Sequence, residues 1–163
     1  MQARAGCAGS DGHNRSVFKL LLAIHLLFAI FAIGPLAHAA TTAARGVRKS
    51  DPAATAASVR MLRVYSWASV LVVVAGAALM SVKRNGEKVG EFSDLWIWLS
   101  LVLWLVSVVL ILTVAVPALT RVTRQLGEGA AVSTMTGRIA AIGGIVGVLF
   151  AAIVFLMVYR PGS

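Results

Sequence analysis

The sequence predicts an all-α membrane protein, four transmembrane helices in an up-down-up-down bundle. Three observations predict it. Hydrophobic residues make up 59% of the 163-residue chain and charged residues only 13%, with a mean hydropathy of +0.88. Soluble domains run near roughly 45–50% apolar and about 25% charged, so an ordinary soluble domain and a disordered chain are both excluded. Four stretches, 17–40, 64–82, 95–119 and 139–159, approach or exceed the about 20 apolar residues that a bilayer crossing needs. None of them alternates with the period of a barrel strand, and a helix satisfies its own backbone in lipid.

Residues 1–16 read as a flexible tail and 17–160 as the membrane domain. The first span carries Lys19, His25 and His38 and is interrupted by Gly34-Pro35. Proline removes one backbone hydrogen bond, so the helix is expected to kink there. The connection 41–63 is basic, and within it Asp51-Pro52 reads as an N-cap followed by proline at the first helical position. The second helix should therefore start there, a few turns before it enters lipid. The connection 83–94 contains Asn85-Gly86 and Gly90 and reads as a tight polar turn; 120–138 contains Gly127 and Gly129. The fourth span holds a Gly143/Gly147 pair at GxxxG spacing, with Ala140 and Gly144 beside it, and the second span holds Gly76 in a run of alanines. Small residues let helix backbones approach in lipid, so these are expected to pack within the chain. No internal repeat is evident. Cys7 stands alone, which excludes an intrachain disulfide.

Residues 1–39 also have a signal-peptide look, with Arg15 and Lys19 before an apolar run and Ala37, His38 and Ala39 matching the small-x-small cleavage rule. The run is longer than the usual about 7–15 residues, and cleavage would export the adjacent basic cluster, so a retained first helix is the expectation. Lys and Arg divide 7 to 8 between the two sides, but Arg45, Arg48, Lys49, Arg60, Arg63, Arg121, Arg124 and Arg138 concentrate in the first and third connections. The positive-inside rule then places those connections in the cytoplasm and both termini outside. Trp96 and Trp98 are expected in the outer aromatic belt, Tyr65 and Trp67 in the inner one.

The net charge of +9 is not a nucleic-acid patch, because most of it flanks helix ends. Anionic lipids account for it, and for the i,i+3 pairs Arg60/Arg63 and Arg121/Arg124. No Asp or Glu lies inside any span, which argues against proton- or cation-coupled transport. No serine–histidine–acid set, HExxH or phosphate-cradling glycine loop occurs, so no enzyme, no catalytic residue and no protein metal site is expected. Candidate cofactor ligands reduce to His25 and His38, 13 residues apart on one helix and so about 20 Å along its axis. Two haems stacked across a membrane use a similar spacing. Each bis-histidine haem needs a second histidine, and the other three spans contain none; Met80, Met157 or a second copy of the chain could complete a haem b site. The plainer expectation is that His25 hydrogen-bonds a neighbouring helix and His38 sits at the membrane interface.

The first helix reads Lys19-Leu-Leu-Leu-Ala-Ile-His25 and then Phe31-Ala-Ile-Gly34-Pro35-Leu-Ala-His38-Ala; after the basic connection, Met61-Leu-Arg-Val-Tyr-Ser-Trp67 opens the second. This resembles a family of predicted bacterial integral membrane proteins with a domain of unknown function, common in high-GC bacteria, over roughly residues 17–160. Its layout is distantly similar to copper-resistance D-type and protoporphyrinogen-oxidase-type membrane proteins, which implies a first-helix histidine directed to haem or copper, here His25. The expected role is a non-enzymatic accessory or interaction subunit of a larger membrane complex or homo-oligomer in a bacterial plasma membrane. A haem- or copper-binding redox protein is the alternative. An oligomeric channel or carrier hinged at Pro35 is the third reading.

Overall fold

Lipid offers no water to a backbone N–H or C=O, so the chain must satisfy these groups along unbroken helices. The computed structural model describes residues 8–84, 87–88, 94–129 and 133–160. Its α-helices are α1 (Ala8–Phe28), α2 (Gly34–Arg48), α3 (Pro52–Met80), α4 (Leu95–Leu110), α5 (Val116–Gly127) and α6 (Ser133–Tyr159). A π-helical turn, Ala29–Ile33, joins α1 to α2, and a second, Ile111–Ala115, joins α4 to α5. The result is four rods, and four helices are long and apolar enough to cross a membrane: Arg15–Arg48, Pro52–Met80, Leu95–Gly127 and Met135–Tyr159.

The rods outrun the apolar stretches that announce them. Most of 41–63 is helix, not connection. α2 continues to Arg48 because Ala39, Ala40, Ala43, Ala44 and Val47 keep a buried face on it. A turn at Lys49 and Ser50, the latter at φ +51°, reverses the chain. Asp51 then caps α3 as its sequence requires: its carboxylate accepts from the Ala54 N–H at 2.9 Å, and Pro52 takes the first helical position. α5 continues to Gly127 in the same way, burying Val116, Leu119 and Val122. The stretch expected as a tail is helical from Ala8, since a helix nucleated in the span gains one bond for each residue it propagates. Between α3 and α4, Lys83–Arg84 and Glu87–Lys88 form a two-residue antiparallel pair. Asn85, Gly86 and Gly90 lie outside the described residues.

Both π turns are followed by a proline, Pro35 near the start of α2 and Pro117 near the start of α5. Proline has no N–H to give, and a local π register is one way a membrane helix absorbs the missing bond. At the second turn the Val116 N–H reaches back five residues to the Ile111 carbonyl. The same device therefore stands in the first and third rods, a structural repetition that the sequence, read for repeats, does not reveal.

The core lies toward the basic end. α2 packs on α6 and on α3, α3 on α5, α4 on α6, and α1 on α3. Leu36, Leu62, Ile111, Leu119, Val122 and Val146 are almost completely buried there. Gly143 makes the α2–α6 crossing possible. A Cβ at 143 would run into the Ala40 carbonyl oxygen and lie 2.9 Å from its carbon, whereas Gly147 meets only the Thr41 methyl, at 3.6 Å. The GxxxG pair thus packs within the chain, with one glycine indispensable and the other permissive. At the opposite end Trp98 is exposed as a belt residue should be, but Trp96 is only 8% exposed. The Arg160 guanidinium lies 5.4 Å from the Trp96 ring centroid, so this indole is packed under a cation.

Gly143→Ala is expected to destabilise the detergent-solubilised protein by about 1–3 kcal/mol. Gly144→Ala, with open space around it, should be neutral or stabilising by up to about 1 kcal/mol. Unfolding titrations of both variants check this, and equal losses would contradict the crossing.

Candidate functional site

His25 is half-buried where α1 lies along α3. Its Nδ1 is 3.0 Å from the Val72 carbonyl oxygen. A carbonyl carries no hydrogen, so Nδ1 must donate, and in that tautomer the lone pair lies on Nε2. Gly76 makes room for the ring: a Cβ at 76 would meet the His25 Cε1 at 3.2 Å and Nδ1 at 3.5 Å. The sequence singles out His25 and Gly76 for separate reasons, and the structure brings them together. Val72, Gly76 and Met80 recur every four residues, so Met80 stands one turn beyond the glycine on which His25 rests. A backbone carbonyl holding one ring nitrogen is also how metal-ligating histidines are oriented.

His38 is not part of this arrangement. It lies on α2, beyond the π turn and Pro35, and is exposed; its backbone carbonyl accepts from the Thr41 and Thr42 hydroxyls at 3.1 and 2.7 Å. No cluster of three or more His, Cys, Asp or Glu side chains placed to hold a metal ion occurs among the described residues.

A polar seam within the membrane region escapes a search for ionisable groups. Trp104 on α4 donates from Nε1 to the Ser69 hydroxyl at 3.0 Å, and Ser69 donates to the Ser66 carbonyl at 2.7 Å. Ser100 and Ser107 on α4 are buried and turn back onto the Trp96 and Leu103 carbonyls. The Ser66 hydroxyl, with its residue only 1% exposed, and the Trp96 Nε1 have no hydrogen-bond partner. The signal was present as spacing: Ser66 and Ser69 are three apart, Ser100 and Ser107 seven apart, each pair on one helix face. A separate cavity of about 10 Å³ is lined by apolar residues, Leu62, Ala115, Leu119 and Gly143 among them, and by none of the seam residues. That is about the space of one water molecule.

The basic residues gather at one end. Arg45, Arg48, Lys49, Arg60, Arg63, Arg121, Arg124 and Arg138 are all exposed. Arg124 lies 3.9 Å from Glu128, a pair so exposed that it contributes little. The other seven form no ion pair with a described residue. Asp51, beside this charge in sequence, is engaged with the α3 N-terminus.

Long apolar rods, a small-residue crossing and charge concentrated beyond the apolar stretches define a multi-pass helical membrane protein. The chain belongs to the family of predicted integral membrane proteins of unknown function designated DUF2269, whose model matches residues 19–161. No curated protein and no solved structure matches it.

In the presence of His25, Gly76→Ala should cost about 1 kcal/mol, because the methyl group presses on the ring. In a His25→Ala background the same change should be neutral or stabilising. A double-mutant cycle of unfolding free energies reads the coupling, expected at about 0.5–3 kcal/mol; strict additivity would show that ring and glycine do not act together.

Proposed function

We propose that the chain is a non-enzymatic accessory or interaction subunit of a bacterial plasma-membrane complex, docking through its basic end. One observation carries this reading: a packed helical head projects beyond the apolar spans and presents uncompensated positive charge. Along α3, Pro52 lies about 17 Å beyond Arg63 at 1.5 Å per residue. Arg45, Arg48 and Lys49 sit at the tip of that hairpin, and Arg138 stands on the neighbouring α6. Charge arranged on rigid helix ends recognises an acidic segment of a partner and speeds its encounter. By the positive-inside rule the head is cytoplasmic and the termini are outside. Affinity purification of the full chain should recover a stoichiometric partner, and Arg45→Gln combined with Arg48→Gln and Lys49→Gln should release it. Capture that ignores the triple substitution, or no stoichiometric partner for the wild type, refutes this reading.

The His25 arrangement favours a second reading, a haem b protein. The Val72 carbonyl fixes the ring and leaves Nε2 with its lone pair, and Met80 is the better-placed of the two methionines, since α1 packs on α3. A Soret band in purified protein that disappears in His25→Ala supports this reading. Protein without a Soret band and without copper by elemental analysis discards it, together with its copper variant.

A further inference from the structure

Two of the arginine pairs occupy a different position from the projecting head. Leu62 of α3 and Leu119 of α5 line the same small cavity, so the two helices are neighbours at these residues. Arg60 and Arg63 flank Leu62; Arg121 follows Leu119 by two residues, and Arg124 stands one turn further out. α3 and α5 pack against one another. From Val64 to Met80, α3 carries no charge, and the α4–α5 rod carries none from Leu95 to Thr120. Two neighbouring helices therefore enter the apolar region side by side, each marking its entry with an arginine. Neither helix contains an Asp or Glu; Glu128, just past α5, lies 3.9 Å from Arg124 in an exposed pair that a phosphate would displace.

The remaining surface of α3 fits the same boundary. Trp67, four residues beyond Arg63, is 68% exposed and so lies on the face that carries the arginine, one turn deeper. Val64 begins this exposed apolar surface beside Arg63, and Leu71 and Val74 extend it beyond Trp67. An indole at this level prefers the interface between headgroups and acyl chains. Two guanidinium groups spaced i,i+3 lie on one side of a helix and can converge on a single phosphate through charge-assisted hydrogen bonds.

We propose that this α3–α5 corner is a headgroup site for an anionic phospholipid with two phosphates. Arg60 and Arg63 take one phosphate, Arg121 and Arg124 the other, and Trp67 packs against the glycerol and first acyl carbons. The site is independent of the partner-docking head. A lipid bound here pins the bundle at a fixed depth and leaves the head free.

The test is native mass spectrometry of the full chain in detergent, with added diphosphatidylglycerol, phosphatidylglycerol or phosphatidylcholine. Each arginine near the headgroup plane contributes roughly a fivefold step in binding. Arg60→Gln, Arg63→Gln, Arg121→Gln and Arg124→Gln together should therefore weaken diphosphatidylglycerol binding by about a hundredfold or more. The control removes the same charge elsewhere, through Arg15→Gln, Arg45→Gln, Arg48→Gln and Lys49→Gln, and should weaken it by less than about tenfold. Phosphatidylglycerol should bind the wild type more weakly, and phosphatidylcholine should not compete. If the quadruple variant does not fold, the Arg60/Arg63 and Arg121/Arg124 double variants are each expected to reduce the two-phosphate lipid to the affinity of the one-phosphate lipid. Equal losses in site and control variants, no preference over phosphatidylcholine, or displacement of the lipid by inorganic pyrophosphate at like concentration each overturns the proposal.

Discussion

The structure depends on one close approach, between Gly143 of α6 and the Ala40 carbonyl of α2. In lipid, helices gain little from hiding apolar surface, because the solvent is as apolar as the side chains. What holds them is contact, and contact is greatest where a missing side chain lets two backbones meet. α2 carries Ala39, Ala40, Ala43 and Ala44 on its buried face, and α6 answers with glycine. α2 also packs on α3, and α4 packs on α6, so this crossing ties the first hairpin to the second. The buried core gathers around it, and the basic head is held by the same helices.

The sequence announced the parts of this arrangement that depend on local chemistry. Asp51-Pro52 opens a helix because a carboxylate and a ready-made φ do so anywhere. The GxxxG spacing marks a close approach, although not which of its glycines is essential or which helix faces it. Helix ends were harder to read. Residues 41–48 contain threonines and arginines and look like a loop, yet Ala43, Ala44 and Val47 recur at helical spacing and are buried only because α3 and α6 lie beside them. Trp96 likewise looks like a belt residue until the chain end brings Arg160 over it.

The candidate site was half legible for a related reason. His25 stands out in any search for ionisable groups in a membrane. Its partners do not, because one is a backbone carbonyl and the other a glycine with no side chain to notice. The Trp104–Ser69 bond is the same kind of feature, a neutral contact between helices far apart in sequence. Such hydrogen bonds contribute on average about 0.6 kcal/mol in membrane proteins. They serve orientation more than stability, holding α3 and α4 in rotational register.

Register is also what the two π turns alter. Each inserts about one residue beyond the ideal helical repeat, which rotates everything that follows by roughly 100° about the rod axis. Faces on α1 and α2, or on α4 and α5, therefore cannot be traced through the turn by counting in threes and fours. His25 and His38 belong to separate angular frames, and so do Trp104 and Arg121. A single-residue deletion within Ala29–Ile33 or Ile111–Ala115 would shorten a rod by only about 1.5 Å. It would also swing an entire face of arginines around the bundle, so that spacing across these turns behaves as an angular coordinate more than a length.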